Sequence, residues 1–238
     1  QAESNIDRVD YMERDARIAA IRFAIEVSDR KHLAEVIRRV RRLAVVHGVV
    51  FSAWMVAYLL QAALIATRRR ERHKTLGYVF MGLGGAMLLL GLKTALESVR
   101  RGAGASPDLD PRVFMVIPVF DLILFAGFLW GGYYWRRSVE THKRLMLLAT
   151  IDAAGPAIAR MAQHASSPLF SENFPMWAFA GMMLLITVGC AYDAYSRRRI
   201  HPAYLWGAVI LTASGPIRFA IGATPAWMSL VDRLLRCC

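Results

Sequence analysis

Two carboxylates stand where carboxylates are costly. Asp121 lies in VFMVIPVFDLILFAGFLWGGYYW (113–135) and Asp152 in LMLLATIDAAGPAIARM (145–161), both otherwise almost wholly apolar apart from Arg160. An ionisable group at the centre of a membrane helix costs roughly 2.5–3.5 kcal/mol on insertion scales. Such residues are therefore either functional or polar clamps between helices. If the two runs are antiparallel helices, rise per residue places both carboxylates near the bilayer midplane. Carboxylates that meet there cannot both ionise cheaply, so the chemistry is binding of a proton or a cation. Gln61, inside AVVHGVVFSAWMVAYLLQAALIA (44–66), joins this intramembrane polar set.

Three cations complete the buried inventory. Arg160 and Arg218 follow Gly155-Pro156 and Gly215-Pro216, and Lys93 sits at a corresponding depth in an earlier run. They can touch an anion or a lipid head group, or snorkel to the interface. The prolines remove a backbone donor, and unwound backbone near the midplane is a feature of transporter sites. Four histidines, His47, His73, His142 and His201, flank the apolar runs. Facing imidazoles hold haem in membrane cytochromes, so a haem or metal site from two of them is one reading. A neutral place in a basic interfacial belt is the other. His32 and His164 fall outside this pattern. No nucleophile–base pair, P-loop or dinucleotide fingerprint is present, so the chain reads as non-enzymatic. Gly82, Gly84 and Gly85 suit close helix packing rather than phosphate binding.

The elements that must position these groups are six runs: 44–66, 75–96, 113–135, 145–163, 175–195 and 202–222. Each is long enough to cross about 30 Å of hydrocarbon as a helix, and continuous apolar runs of this length do not suit barrel strands. The fold class is all-α integral membrane, six transmembrane helices arranged as three hairpins behind a short α/β segment. The chain has 238 residues, 56% hydrophobic, with net charge +12. Its cations do not spread as a nucleic-acid surface would require. They gather in RRRERHK (68–74), RRSVETHKR (136–144) and RRRIH (197–201), in the turns between odd and even runs. Positive-inside bias puts those turns in the cytoplasm, against the anionic leaflet. The partner is therefore the lipid bilayer, not nucleic acid. RRRERHKTLGYV, RRSVETHKRLML and RRRIHPAYLWGA also share a layout, which reads as an internal repeat of three hairpins.

The front end differs. RIAAIRFAIEV (17–27) alternates as a half-buried strand. DRKHLAEVIRRVRRL (29–43) gathers Leu33, Val36, Ile37, Val40 and Leu43 on one face of an amphipathic helix that Asp29 can cap. With SNIDRVDYMERD and VVHGV, these segments resemble the C-terminal ACT domain of the ppGpp synthetase/hydrolases of the stringent response, over roughly residues 1–49. The resemblance implies a small regulatory α/β module, lacking here the first strand and its ligand loop. It also implies a last strand at 44–50, where the first membrane helix must begin, and a cytosolic location, where charge bias puts the N-terminus outside. The chain therefore divides into 1–45, a partial ACT-like segment, and 46–238, the membrane domain. Gene fusion or sequence misassembly near His47 accounts for the join; a native domain of unusual topology is the alternative.

HGVVFSAWMVAYLLQAALIATRRRERHKTLGY and HKRLMLLATIDAAGPAIARM, in turn, resemble an uncharacterised family of bacterial multi-pass membrane proteins with H-x-x-LG and HKRLM motifs. That resemblance implies the bacterial inner membrane and no particular activity. Three functions stand as expectations: a small transporter or sensor, a haem-binding electron carrier, and an ACT-type regulatory fragment fused to a membrane domain. Gln1 at the start reads as a fragment or processed product, with no signal peptide ahead of the apolar runs. Cys190 is intramembrane, and Cys237 and Cys238 read as an unremarkable tail.

Overall fold

A computed structural model describes residues 30–102 and 109–237. Two compact units divide the chain, Gln1–Val46 and His47–Cys238. The helices are α1 (Arg30–Ala66), α2 (Arg70–Arg100), the short α3 (Pro111–Phe114), α4 (Val116–Tyr134) and α5 (Val139–Gln163). They continue with the short α6 (Pro168–Ser171), α7 (Phe174–Arg197), α8 (Pro202–Gly222) and α9 (Pro225–Cys237). No strand occurs among the described residues.

Six segments have the length and apolarity of membrane spans: Glu35–Ala66, Arg70–Arg100, Pro111–Tyr134, Val139–Gln163, Phe174–Arg197 and Pro202–Gly222. Val56, Leu59, Leu89, Leu184 and Val188 on these helices are 59–72% exposed, a surface that water would penalise and lipid covers. The chain is a multi-pass membrane protein.

The spans begin and end where local chemistry allows. Asp110 accepts the Arg112 N–H on Oδ1 at 2.8 Å, and Pro111 occupies the first turn, so α3 leads directly into α4. Glu71 in the first turn of α2 suits the positive helix end and pairs with Lys74 at 2.8 Å. Arg198, at φ 57°, turns the chain out of α7 in the left-handed region.

Three expectations change. The amphipathic front helix and the first span are one continuous helix, α1, so residues 44–50 are helical and cannot be a closing ACT strand. The expected strand at 17–27 lies outside the described residues. Pro156 and Pro216 sit inside α5 and α8 without unwinding them. Finally, the tail forms α9. Its Trp227 and Val231 are buried in a cluster with Ala95, Leu96, Met115 and Val116, and Leu234 and Leu235 pack against it. Trp227 Nε1 donates to the Arg112 carbonyl at 2.8 Å, and Arg112 reaches Asp232 at 3.3 Å.

The main core joins Trp54 of α1, Met87 of α2, Phe125 and Leu129 of α4, Leu148 of α5, Ile186 of α7 and Leu211 of α8. Glycines let these helices close. A Cβ on Gly84 would meet Leu129 Cδ2 at 2.5 Å, and one on Gly207 would meet Leu148 Cδ1 and Cδ2 at 2.5 and 2.7 Å. Leu148 is wholly buried and has nowhere to retreat. Gly207→Ala is therefore expected to destabilise by about 1–3 kcal/mol through overpacking. Thermal unfolding in detergent checks this against Gly127→Ala, whose new methyl meets nothing within 4 Å.

Candidate functional site

One buried polar group is built by α4, α5 and α8. Arg218 of α8 donates from Nη1 to Asp121 Oδ1 of α4 at 2.6 Å, a largely buried ion pair. The Phe120 ring lies 5.8 Å from the guanidinium carbon. Asp152 of α5 is 2% exposed, and neither of its carboxyl oxygens has a hydrogen-bond partner. Asp121 and Arg218 are its charged neighbours. Arg218 Nε is likewise buried and unpartnered. Pro156 deepens the deficit, because a proline at that position cannot donate to the carbonyl four residues back, which belongs to Asp152.

Charge counting defines the chemistry. Two carboxylates and one guanidinium sum to one negative charge inside the bundle. Arg218 already neutralises Asp121, so Asp152 is the group left over. An uncompensated buried charge is expensive, and one bound proton removes it. A metal cation fits poorly: hard cations want about six oxygen ligands, and here a guanidinium stands alongside. Among the described residues no group of three or more His, Cys, Asp or Glu converges as metal ligands do.

The remaining candidates fall into other places. Gln61 does not join the aspartates. With its amide oriented to satisfy its neighbours, the oxygen accepts from Gly77 N–H at 3.0 Å. The nitrogen donates to the His73 carbonyl at 3.2 Å and to His73 Nδ1 at 2.5 Å. Lys93 is exposed on α2, and Arg160 is exposed near the end of α5, where it is a charged neighbour of His47. His47 stacks on Phe51 with centroids 4.1 Å apart and meets Thr94 Oγ1 through Nδ1 at 3.4 Å. Of the four histidines only His73 and His142 come together, with ring centroids 6.2 Å apart and planes at 86°. Arg218, read from sequence as an outer residue beside Arg160, is instead Asp121's partner.

A second charged cluster, at the basic end, escaped the sequence reading. Arg144 of α5 is fully buried. Its Nε donates to Asp193 Oδ2 of α7 at 2.7 Å and its Nη2 donates to Asp193 Oδ1, a bidentate pair. Nη1 donates to the Glu140 carbonyl at 2.7 Å and to Glu140 Oε2 at 2.6 Å. Arg197 and Lys143 reach the same carboxylate at 2.5 and 3.1 Å. In sequence, Arg144 and Arg197 look like ordinary turn cations, and only Asp193, an acid ahead of RRR in an apolar run, offered a signal.

His201 links this cluster to α8. Its Nδ1 accepts the Ala203 N–H at 3.1 Å as the helix cap, and its backbone N–H donates to Asp193 Oδ2 at 3.2 Å. An accepting Nδ1 requires the neutral ring. Burial holds the His201 imidazole below its ordinary value of 6.5, and Arg144 and Arg197 push the same way against Asp193 and Glu140. The sign follows: this contact's stability is whole above pH 6.5 and is lost as pH falls through the lower folded value. Acidification is expected to cost about 1 kcal/mol, the worth of a cap. His201→Asn keeps an acceptor and should flatten this part of the decline in detergent melting between pH 8 and 5.

No protein family, no curated protein and no solved structure matches the chain.

Proposed function

We propose that this is a proton-binding carrier of the bacterial inner membrane, with its basic turns in the cytoplasm. Asp152 is the group that takes up and releases the proton. The observation that carries this reading is a carboxyl group, 2% exposed and without a partner, beside a neighbouring carboxylate already matched by its own arginine. A purely structural clamp would hydrogen-bond its carboxyl; this one is left open. The Asp121–Arg218 pair supplies a fixed dipole beside it, so gain or loss of one proton changes the local charge between neutral and negative. Any co-carried solute is a small molecule or ion that exploits that change. Positive-inside bias supports the orientation, and the resemblance of the HKRLM segment to bacterial multi-pass proteins supports the membrane.

Reconstituted vesicles with an internal pH dye test the proposal. Under an imposed pH gradient the protein should dissipate the gradient faster than empty vesicles, and Asp152→Asn should return the rate to that of empty vesicles. Equal flux through the wild type and Asp152→Asn would overturn the assignment.

A further inference from the structure

We propose that His73 and His142 are the two axial ligands of a haem held between α2 and α5 at the basic end of the bundle. The juxtaposition is specific. The ring centroids are 6.2 Å apart, with planes at 86°. A direct N–H···N hydrogen bond between imidazoles would draw the centroids to about 5 Å. One metal atom between two ring nitrogens, at about 2.0–2.1 Å from each, sets them about 6.3 Å apart. The observed spacing is too long for the direct bond and leaves room for one metal atom between the rings. Perpendicular rings are compatible with it, since each need only contain the nitrogen–metal axis.

The supporting contacts are those of ligands rather than of a belt. His142 Nδ1 lies 2.8 Å from the Gly132 carbonyl, an acceptor, so Nδ1 carries the proton and Nε2 keeps its lone pair. A backbone carbonyl on the far nitrogen is the usual support of a metal-bound imidazole. His73 has Gln61 at its Nδ1, 2.5 Å away. Ligation would place the His73 proton on Nδ1, and the Gln61 amide would have to turn its oxygen to accept it, giving up its bonds with the Gly77 N–H and the His73 carbonyl. α2 and α5 do not touch along their backbones; α4 packs against both, and the two histidines meet at the level of its last turn, where Gly132 lies.

The chemical class follows from the ligand count. Among the described residues no third His, Cys, Asp or Glu joins the pair to complete a metal set. A metal held by two protein nitrogens in line must bring its own equatorial ligands, which a porphyrin does. Of the exposed cations beside the histidines, Lys74 pairs with Glu71 and Lys143 with Glu140, so Arg72 is the one placed to meet a propionate. The porphyrin's apolar edge would face lipid. His201, occupied as a helix cap, and His47, stacked on Phe51 midway along α1, are not ligands.

The test is an absorbance titration of the whole purified chain in detergent with haemin, before and after reduction with dithionite. One haem per chain, with the sharp reduced α band of a low-spin bis-imidazole iron, is expected. His47→Ala and His201→Ala should keep the band; His73→Ala and His142→Ala should each lose it while eluting as monodisperse protein. His142→Met guards against misfolding, because mixed His/Met ligation retains a low-spin spectrum and raises the reduction potential. The proposal is overturned if the wild type shows no low-spin band. It is equally overturned if the band survives both alanine variants or if His142→Met leaves the potential unchanged, results that leave adventitious haem only. None of these readouts depends on proton flux, so failure here leaves the Asp152 assignment standing.

Discussion

Arg144→Leu is expected to destabilise the bundle by about 3–5 kcal/mol, the cost of leaving one partner of a buried ion pair behind. Arg144 is wholly buried and Asp193 is 2% exposed. Without the guanidinium, Asp193 loses both charge-assisted bonds and keeps only the His201 N–H at 3.2 Å. Glu140 loses its 2.6 Å contact but keeps Arg197 and Lys143, so most of the damage falls on Asp193. Asp193→Leu alone should cost a comparable amount by stranding Arg144. The double variant Arg144→Leu with Asp193→Leu should recover much of the loss, because an apolar pair of similar volume replaces a pair that had been desolvated. Thermal unfolding of the three variants in one detergent checks this. Equal melting of Arg144→Leu and the wild type would contradict it.

The second large effect concerns Arg218. Arg218→Leu leaves Asp121 and Asp152 together with no cation, so the loss should again be about 3–5 kcal/mol. It should shrink in the double variant with Asp121→Asn. Asp121→Asn alone has a different signature. Arg218 is then free to swing from its 2.6 Å contact to Asp152, whose oxygens have no competing partner. The bundle should keep nearly all of its stability, yet proton flux should fall as far as in Asp152→Asn, because the proton-binding carboxyl is now held as an anion by the arginine. A folded, inactive Asp121→Asn protein separates the proton site from a clamp; a clamp predicts the reverse, an unstable variant with unchanged flux. Melting curves and vesicle flux on the same preparations report both quantities.

The parts that were legible in the sequence share a physical reason. A bilayer imposes a minimum length of apolar helix, so all six spans stood out, and an acid inside such a run stands out against it, as Asp121 and Asp152 did. What was not legible depends on tertiary approach. Arg218 looked like an end residue because rise per residue measures depth along α8 and says nothing about which neighbour the side chain faces. Arg144 looked like one topogenic cation among several, and its burial comes only from α7 closing over it with Asp193. α9 was missed because Asp232, Arg233 and Arg236 interrupt its apolar residues. Its periodicity serves an amphipathic helix, which a search for unbroken runs passes over. The four histidines showed a common level for His73, His142 and His201, but spacing alone could not say which two would meet. The front helix merged with the first span because nothing at 43–46, all apolar, breaks a helix.

Infrared difference spectroscopy between the wild type and Asp152→Asn in lipid at neutral pH asks most directly whether the central carboxyl carries a proton. A carbonyl-stretch band of a protonated carboxylic acid should be present in the wild type, shift on deuteration, and vanish in the variant. A spectrum with no such band, or one whose band persists unchanged when Asp152 is replaced, would contradict the proton site.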